Sequence, residues 1–282
     1  IIHIVLNHRK KVYIVAAMTV LLSGLGISLI KITGYMVEDL RESDPIRQDL
    51  AFFEQHFDGL MPLEITVDFG KPKQVMQLAN LEKLDQFSNE LVAMDEISKP
   101  ISIIEVIKFA DQAFYNGNPA YFKLPTRTTQ NFILKYISES TSSVGNMAKS
   151  FVDSTMSHVR LSFRVKDIGT QKMEKLEKDI YSIAAKYFPA DKNTVKVTGS
   201  SIINFKGTRY LVKNLFSSLA LAIFLIALFI AWMFRRKRMV LVALIPNLIP
   251  LIITAAIMGY FNIPIKASTI LVFSIAFGIS VD

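Results

Sequence analysis

The sequence predicts a membrane α-helical bundle joined to an α/β domain outside the cytoplasm. Of the 282 residues, 51% are hydrophobic and the mean hydropathy is +0.35, which is too apolar for an ordinary soluble enzyme. Four uncharged apolar runs reach or approach the roughly 20 residues that cross a bilayer as a helix. A long polar segment separates the first run from the other three. This order predicts one span, a large external domain and three further spans.

The apolar runs set the expected transmembrane helices. We expect spans at residues 12–32, 211–234, 239–260 and 267–282. The last run is about 22 Å of helix, shorter than the roughly 30 Å hydrocarbon core, so we expect that span to be truncated at Asp282. No small-residue cleavage site follows the first run, so we interpret it as a retained span rather than a signal peptide. The chain is accordingly interpreted as a fragment.

Positive charge flanks the apolar runs and predicts their orientation. The net charge is +8, but residues 32–212 hold 22 Lys/Arg against 23 Asp/Glu, so a nucleic-acid partner has little support. The positive-inside rule places the basic flank 1–11 and the loop 235–238 in the cytoplasm. The domain at 33–210 and the loop 261–266 then lie outside, in the periplasm if the membrane is the inner one. The absence of Cys excludes a disulfide-stapled domain.

Strand and helix periodicities alternate in the polar segment. Residues 63–68 alternate apolar and polar as in a strand, and apolar residues then recur every three or four positions over 75–94 as in a helix. A second unit follows, with a strand at 158–165, a helix over 173–184 and a strand at 195–197. Two such units predict a split, ferredoxin-like βαβ domain.

Two other parts of the polar segment have weaker patterns. Ser43-Asp44-Pro45 is typical of a helix start, and we expect an amphipathic helix from Ile46 that ends before Gly59. The pattern of residues 104–150 predicts short helices joined by loops.

The external domain offers few candidates for chemistry. Arg160 and Arg164 face one way on the predicted strand and could clamp an anionic substrate, although a solvated polar sheet face explains them more simply. His158 is interpreted as a polar residue at a strand end, since no second metal-ligating residue accompanies it. The sequence contains no nucleophile elbow, P-loop or dinucleotide motif. We therefore predict no enzyme activity, no cofactor and no metal site.

Three local strings carry a family resemblance. They are Thr198-Gly199-Ser200-Ser201, Pro246-Asn247-Leu248-Ile249-Pro250 and Gly278-Ile279-Ser280-Val281-Asp282. With the order of spans and external domain, the chain resembles a resistance-nodulation-division transporter, in the hydrophobe exporter branch that includes MMPL-type and sterol-sensing-domain proteins. The resemblance covers essentially the whole chain and fits the C-terminal half best. It implies that residues 33–210 form porter subdomains.

Asp282 is the candidate functional residue that this resemblance implies. An ionisable side chain in a spanning helix costs about 2.5–3.5 kcal/mol, so it normally faces the bundle interior and marks an ion path. In the family, an acidic residue at this point belongs to the proton relay. Alternatively, Asp282 only lies near a membrane interface. Gly278 and Ser280 are interpreted as small residues that let helices pack closely beside the relay.

The third span carries a second candidate feature. Pro246 and Pro250 each remove a helical hydrogen bond, and Asn247 can supply polar contacts where backbone groups are freed. This pattern predicts either a helix break with a polar crevice or a static kink filled by neighbouring helices.

The resemblance implies a function and a set of partners. It predicts an exporter of lipids or other hydrophobic or amphiphilic molecules, driven by the proton-motive force. The expected partners are membrane lipids, a hydrophobic substrate, protons and the remaining half of the transporter, with a homo-oligomer or a periplasmic protein as further partners. Two alternatives stay open: a non-transporting sterol- or lipid-sensing scaffold, and an accessory factor in proton-driven protein export.

Overall fold

A computed structural model describes residues 9–30, 35, 43–139, 147–235, 237–265 and 267–281. The chain is mostly helical and has a small three-stranded sheet. It divides into two compact units. We call residues 35–205 the α/β unit, and residues 1–34 with 206–282 the helix unit.

The helices are numbered in chain order. They are α1 (Arg9–Ser28), α2 (Pro45–His56), α3 (Leu78–Val92), α4 (Ile103–Phe114), α5 (Gln130–Glu139), α6 (Gly169–Tyr187), α7 (Ser200–Phe234), α8 (Lys237–Tyr260) and α9 (Ala267–Val281). A short 3-10 helix, Pro119–Tyr121, lies between α4 and α5.

The sheet consists of β1 (Met61–Asp68), β2 (His158–Val165) and β3 (Thr194–Thr198) in the order β2–β1–β3. β1 pairs antiparallel with both neighbours, so β2 and β3 run parallel to each other on either side of it. All three strands were predicted from the sequence, β1 and β2 from their alternation, and β1 begins two residues earlier than the pattern indicated. The unit β2–α6–β3 is therefore a strand–helix–strand unit with β1 between its strands.

The chain segment after α3 adds to the other side of the sheet. Two isolated bridges, Ile97 with Val165 and Ile101 with Ser162, hold this segment antiparallel to β2. It consequently runs parallel to β1, with β2 between them. The strand β1, the helix α3 and this segment repeat the arrangement of β2, α6 and β3.

The core of the α/β unit lies on one face of the sheet. Leu63, Ile65 and Val67 of β1 are fully buried because alternate side chains of a strand point the same way. The apolar faces of α3 and α6 cover them, as the helical spacing predicted. The opposite face carries the polar side chains of all three strands.

Local sequence explains where α2 begins. The Asp44 side chain accepts a hydrogen bond from the Ile46 N–H at 2.9 Å, and Pro45 occupies the first helical position. The helix ends at His56, before Gly59 as predicted.

Two helices of the helix unit are long and apolar enough to cross a membrane. They are Ser200–Phe234 and Arg238–Tyr260, and a shorter apolar helix covers Ile14–Ser28. α9 is also apolar and has 15 residues. Within the unit, α8 packs against both α1 and α9. The two long helices indicate membrane association.

Candidate functional site

The two prolines of the predicted helix break lie inside α8. The helix continues through both Pro246 and Pro250. Each proline lacks an N–H, so it leaves the carbonyl four residues earlier without its helical donor. One turn later, Thr254 Oγ1 donates to the Pro250 carbonyl at 2.8 Å. The side chain of Asn247 lies outside the described part of the structure.

A crevice lies between α8 and α9, next to Pro250. Its volume is about 280 Å³. The lining side chains are mostly apolar and are Leu251, Thr254, Met258, Thr269, Val272, Phe273 and Ala276. Such a lining suits an aliphatic group, and its two threonines carry the only hydroxyls among the lining side chains. Sequence reasoning missed both threonines, since single threonines in an apolar run carry no pattern of their own.

The predicted proton-relay region is described only in part. Gly278 is exposed on α9, and no described atom lies within 4 Å of the position that a Cβ would take there. The side chain of Ser280 and the whole of Asp282 fall outside the described residues. The role of Asp282 therefore stays a prediction from the sequence.

Among the described residues of the helix unit, α1 and α8 cross at very short distance, and sequence reasoning missed this contact. A Cβ on Gly26 would lie 2.7 Å from the Ala256 carbonyl oxygen, and a Cβ on Gly259 would collide with the Gly26 carbonyl. Tyr260 Oη donates to the Leu22 carbonyl at 2.6 Å across the same crossing. Glycines within apolar helices are the sequence signal for such contacts.

On the polar face of the sheet, the two arginines of the suggested anion clamp have different neighbours. Arg160 Nε lies 3.6 Å from Glu64 Oε2, and its guanidinium carbon lies 5.9 Å from the centre of the Phe151 ring. Arg164 instead lies over Phe57, at 5.7 Å. Because each arginine has its own aromatic neighbour, the pair does not converge on one site.

A cavity of about 490 Å³ lies over one end of this polar face. Its walls come from all three strands and from the segment that precedes β2. The lining residues are Thr66, Asp68, Ser150, Phe151, Val152, Asp153, His158, Val159, Arg160, Thr194 and Lys196. Arg164 is not among them.

Asp153 anchors the segment that walls this cavity. Its carboxylate accepts hydrogen bonds from the backbone N–H groups of Thr155, Ser157 and His158 at 2.7–3.1 Å and from Thr155 Oγ1. Burial raises the pKa of Asp153, but these hydrogen bonds outweigh it and lower the pKa to about 2. The side chain is therefore a fixed, satisfied anion at neutral pH.

His158 has local polar partners. Its Nε2 lies 3.3 Å from Asp68 Oδ2, and its Nδ1 lies 2.8 Å from Ser157 Oγ. Across the described residues, no group of three or more His, Asp or Glu side chains is placed to hold a metal ion. His158 thus has the environment of a polar residue at a strand end.

The backbone geometry explains why the Thr198–Ser201 string has a glycine at position 199. Gly199 has a φ of +106° between β3 and α7, and a Cβ there would lie 2.5 Å from the Pro62 carbonyl oxygen. Ser201 Oγ donates to that same carbonyl at 2.9 Å. The string therefore joins the end of β3 to the start of β1 within the α/β unit.

Comparisons with known proteins give no family for this chain. No protein-family model matches it, and no curated protein matches it significantly.

Proposed function

We propose that this chain is part of a proton-driven secondary transporter of the resistance-nodulation-division type, which exports lipids or other hydrophobic molecules. The observation that carries the proposal is the strand topology of the α/β unit. β2 and β3 are parallel and β1 lies between them, while β1 and the segment at Ile97–Ile101 enclose β2 in the same way. Two interlocked split βαβ units make a ferredoxin-like domain, the architecture expected for a porter subdomain.

The position of this domain in the chain supports the same proposal. It follows the apolar helix α1 and precedes the long apolar helices α7 and α8. On α7 the large side chains of Leu228, Phe229 and Trp232 are exposed, which a helix in hydrocarbon tolerates and a helix in water does not. With the basic loop at 235–238 in the cytoplasm, residues 33–210 are periplasmic and the protein is a multi-pass inner-membrane protein.

The proposed coupling uses α8 and α9. The crevice between them offers an apolar lining, and Asp282 follows α9 directly in the sequence. Protonation of the carboxyl removes a charge that costs about 2.5–3.5 kcal/mol in hydrocarbon, so the protonated and ionised forms favour different packing of this helix. Proton uptake and release would then drive movement of the external domain.

The experiment compares the lipid content of separated inner and outer membranes in cells that express wild-type protein or Asp282→Asn. The substitution keeps the size of the side chain and removes its ability to carry a proton. Asp191→Asn, an exposed position before β3, is the matched control. We expect one lipid or hydrophobic metabolite to accumulate in the inner membrane of the Asp282→Asn strain alone.

Identical profiles in all three strains, at matched expression, would refute proton-coupled export through Asp282. The lipid-sensing scaffold and the protein-export factor would then be the better explanations. A defect in secreted proteins with an unchanged lipid profile would select the latter.

A further inference from the structure

One row of side chains crosses the polar face of the sheet at Thr66. The register pairs Thr66 of β1 with Arg160 of β2 on one side and with Lys196 of β3 on the other. Directly opposed residues on antiparallel strands point to the same face, with Cβ atoms about 4.5–5.5 Å apart. Two cationic side chains therefore flank one hydroxyl on a rigid support.

The cavity of about 490 Å³ lies over this row, and all three residues line it. Its outer wall is the segment around Phe151, which is held to β2 by a hydrogen bond from the Arg160 N–H to the Phe151 carbonyl at 2.7 Å. Thr194 adds a second hydroxyl at the neighbouring row. The volume is within the range of cavities that bind small ligands.

The acidic residues of the cavity already have donors. Asp153 is satisfied by the backbone and side-chain donors described above. Asp68 Oδ1 accepts from the Gly70 N–H at 2.7 Å, and Oδ2 faces His158 Nε2 at 3.3 Å. These carboxylates therefore do not need the two cations of the row as hydrogen-bond donors.

The cations keep donors to spare. Lys196 is exposed, and its ammonium group has no partner among the described residues. Its backbone carbonyl accepts a hydrogen bond from the Thr66 hydroxyl at 3.4 Å. Arg160 Nε lies 3.6 Å from Glu64 Oε2, and the Arg160 side chain is 48% exposed. Its two terminal nitrogens have no described partner, so they remain available to a ligand.

We propose that the Arg160–Thr66–Lys196 row binds a phosphate group in this cavity. The planar guanidinium fork can donate two hydrogen bonds to phosphate oxygens, and the ammonium group adds a point charge from the other side. Thr66, whose hydroxyl donates to the Lys196 carbonyl, is the short side chain between them. Phe151 provides an apolar wall for whatever carries the phosphate. The site is independent of the proposed transport, because it needs only the fold of the α/β unit.

The test measures phosphate binding to the purified full chain in an uncharged detergent, by calorimetry and by ³¹P NMR line broadening. Three soluble probes are compared: inorganic phosphate, dihexanoyl phosphatidic acid and dihexanoyl phosphatidylcholine. We expect Lys196→Gln and Arg160→Gln each to weaken binding about tenfold, as for the loss of one hydrogen bond to a charged group. Arg160→Lys should recover part of the loss.

Lys175→Gln is the matched control. It removes an exposed lysine from α6, which packs on the opposite face of the sheet. Arg160 also contacts Glu64 and Phe151, so its substitution could disturb folding. The exposed Lys196 provides the variant that is least able to do so. Circular dichroism of each variant should be the same as that of the wild type.

Binding of inorganic phosphate that depends on both cations identifies a free phosphate or phosphomonoester as the ligand. If the two cations are needed only for the binding of phosphatidic acid, the ligand is a lipid headgroup. Equal affinity of wild type, Lys196→Gln and Arg160→Gln for every probe would overturn the proposal, as would the absence of binding by wild type.

Discussion

The α/β unit and the helix unit place the same kinds of side chain in opposite surroundings. Leu63 and Ile65 of β1 are fully buried, whereas Leu228 and Trp232 of α7 are 57% and 75% exposed. In water, that exposure along a long apolar helix would be strongly unfavourable. The contrast indicates that the α/β unit buries its core within itself, while the exposed apolar side chains of α7 indicate membrane association.

The two units also differ in what holds their elements together. Large buried side chains join the sheet to α3 and α6. In the helix unit, α1 and α8 instead approach through glycine backbones at Gly26 and Gly259. This follows from the solvent, because lipid tails are as apolar as Leu and burying Leu between membrane helices gains little.

The largest expected effect tests the contrast in burial directly. Leu63→Ala should destabilise the α/β unit by about 2–5 kcal/mol, because it opens a cavity in a close-packed core. Leu228→Ala should change stability little, since its side chain leaves no cavity. Hydrogen exchange of the full chain, read on peptides from β1 and from α7, measures both. A similar loss of stability in the two variants would show that α7 packs against protein.

A smaller effect is expected at the helix crossing. Gly26→Leu should destabilise the packing of α1 on α8 by about 1–3 kcal/mol, because the new side chain collides with the backbone at Ala256. Gly24→Leu is the control two residues away, where no described atom lies within 4 Å of the added Cβ. Thermal unfolding of both variants in detergent provides the measurement. Equal melting temperatures would mean that the crossing does not stabilise the helix unit.

The smallest effect concerns a carboxyl that is buried within the α/β unit. Asp111 on α4 is only 2% exposed, and its Oδ1 has no hydrogen-bond partner in the described structure. Burial raises the pKa of Asp111, and the positive charge of Lys123 opposes this. A carboxyl with a raised pKa in the folded state costs stability above that pKa and costs none below its ordinary value of 3.8.

Asp111→Asn should therefore stabilise the protein at pH 7, by up to about 1 kcal/mol, and the gain should vanish as the pH falls below the ordinary aspartate pKa. Thermal unfolding at pH 7 and at the lowest pH where the protein stays folded measures this, with Asp191→Asn as the exposed control. A gain that persists at low pH would assign the effect to packing instead of to ionisation.

Much of the local structure could be predicted because its causes are local. The alternation in β1 and β2 and the helical spacing in α3 follow from which residues must face a core, and each element was found where its pattern lies. The start of α7 was harder to predict. Its first turns, from Ser200, contain Lys206 and Arg209 and do not resemble a span, so the expected helix at 211–234 covered only the uncharged part of α7 and the turn before it.

The candidate sites depended on contacts that periodicity does not contain. Arg160 and Arg164 share a strand face, which suggested a clamp, but Arg160 lies opposite Thr66, and Lys196 lies on the other side of Thr66. Those three residues are far apart in the sequence, and their register is set by how the whole sheet assembles.

The sequence by itself determined the division into apolar and polar segments, the periods of the strands and helices, and the basic flanks from which an orientation is predicted. These features depend on side-chain chemistry and on backbone geometry over a few residues. Only the tertiary structure decided that β1 lies between β2 and β3, that Gly26 meets α8, and that two cations flank Thr66. Such contacts join distant parts of the chain, so they arise only when the packing of the whole unit selects one arrangement.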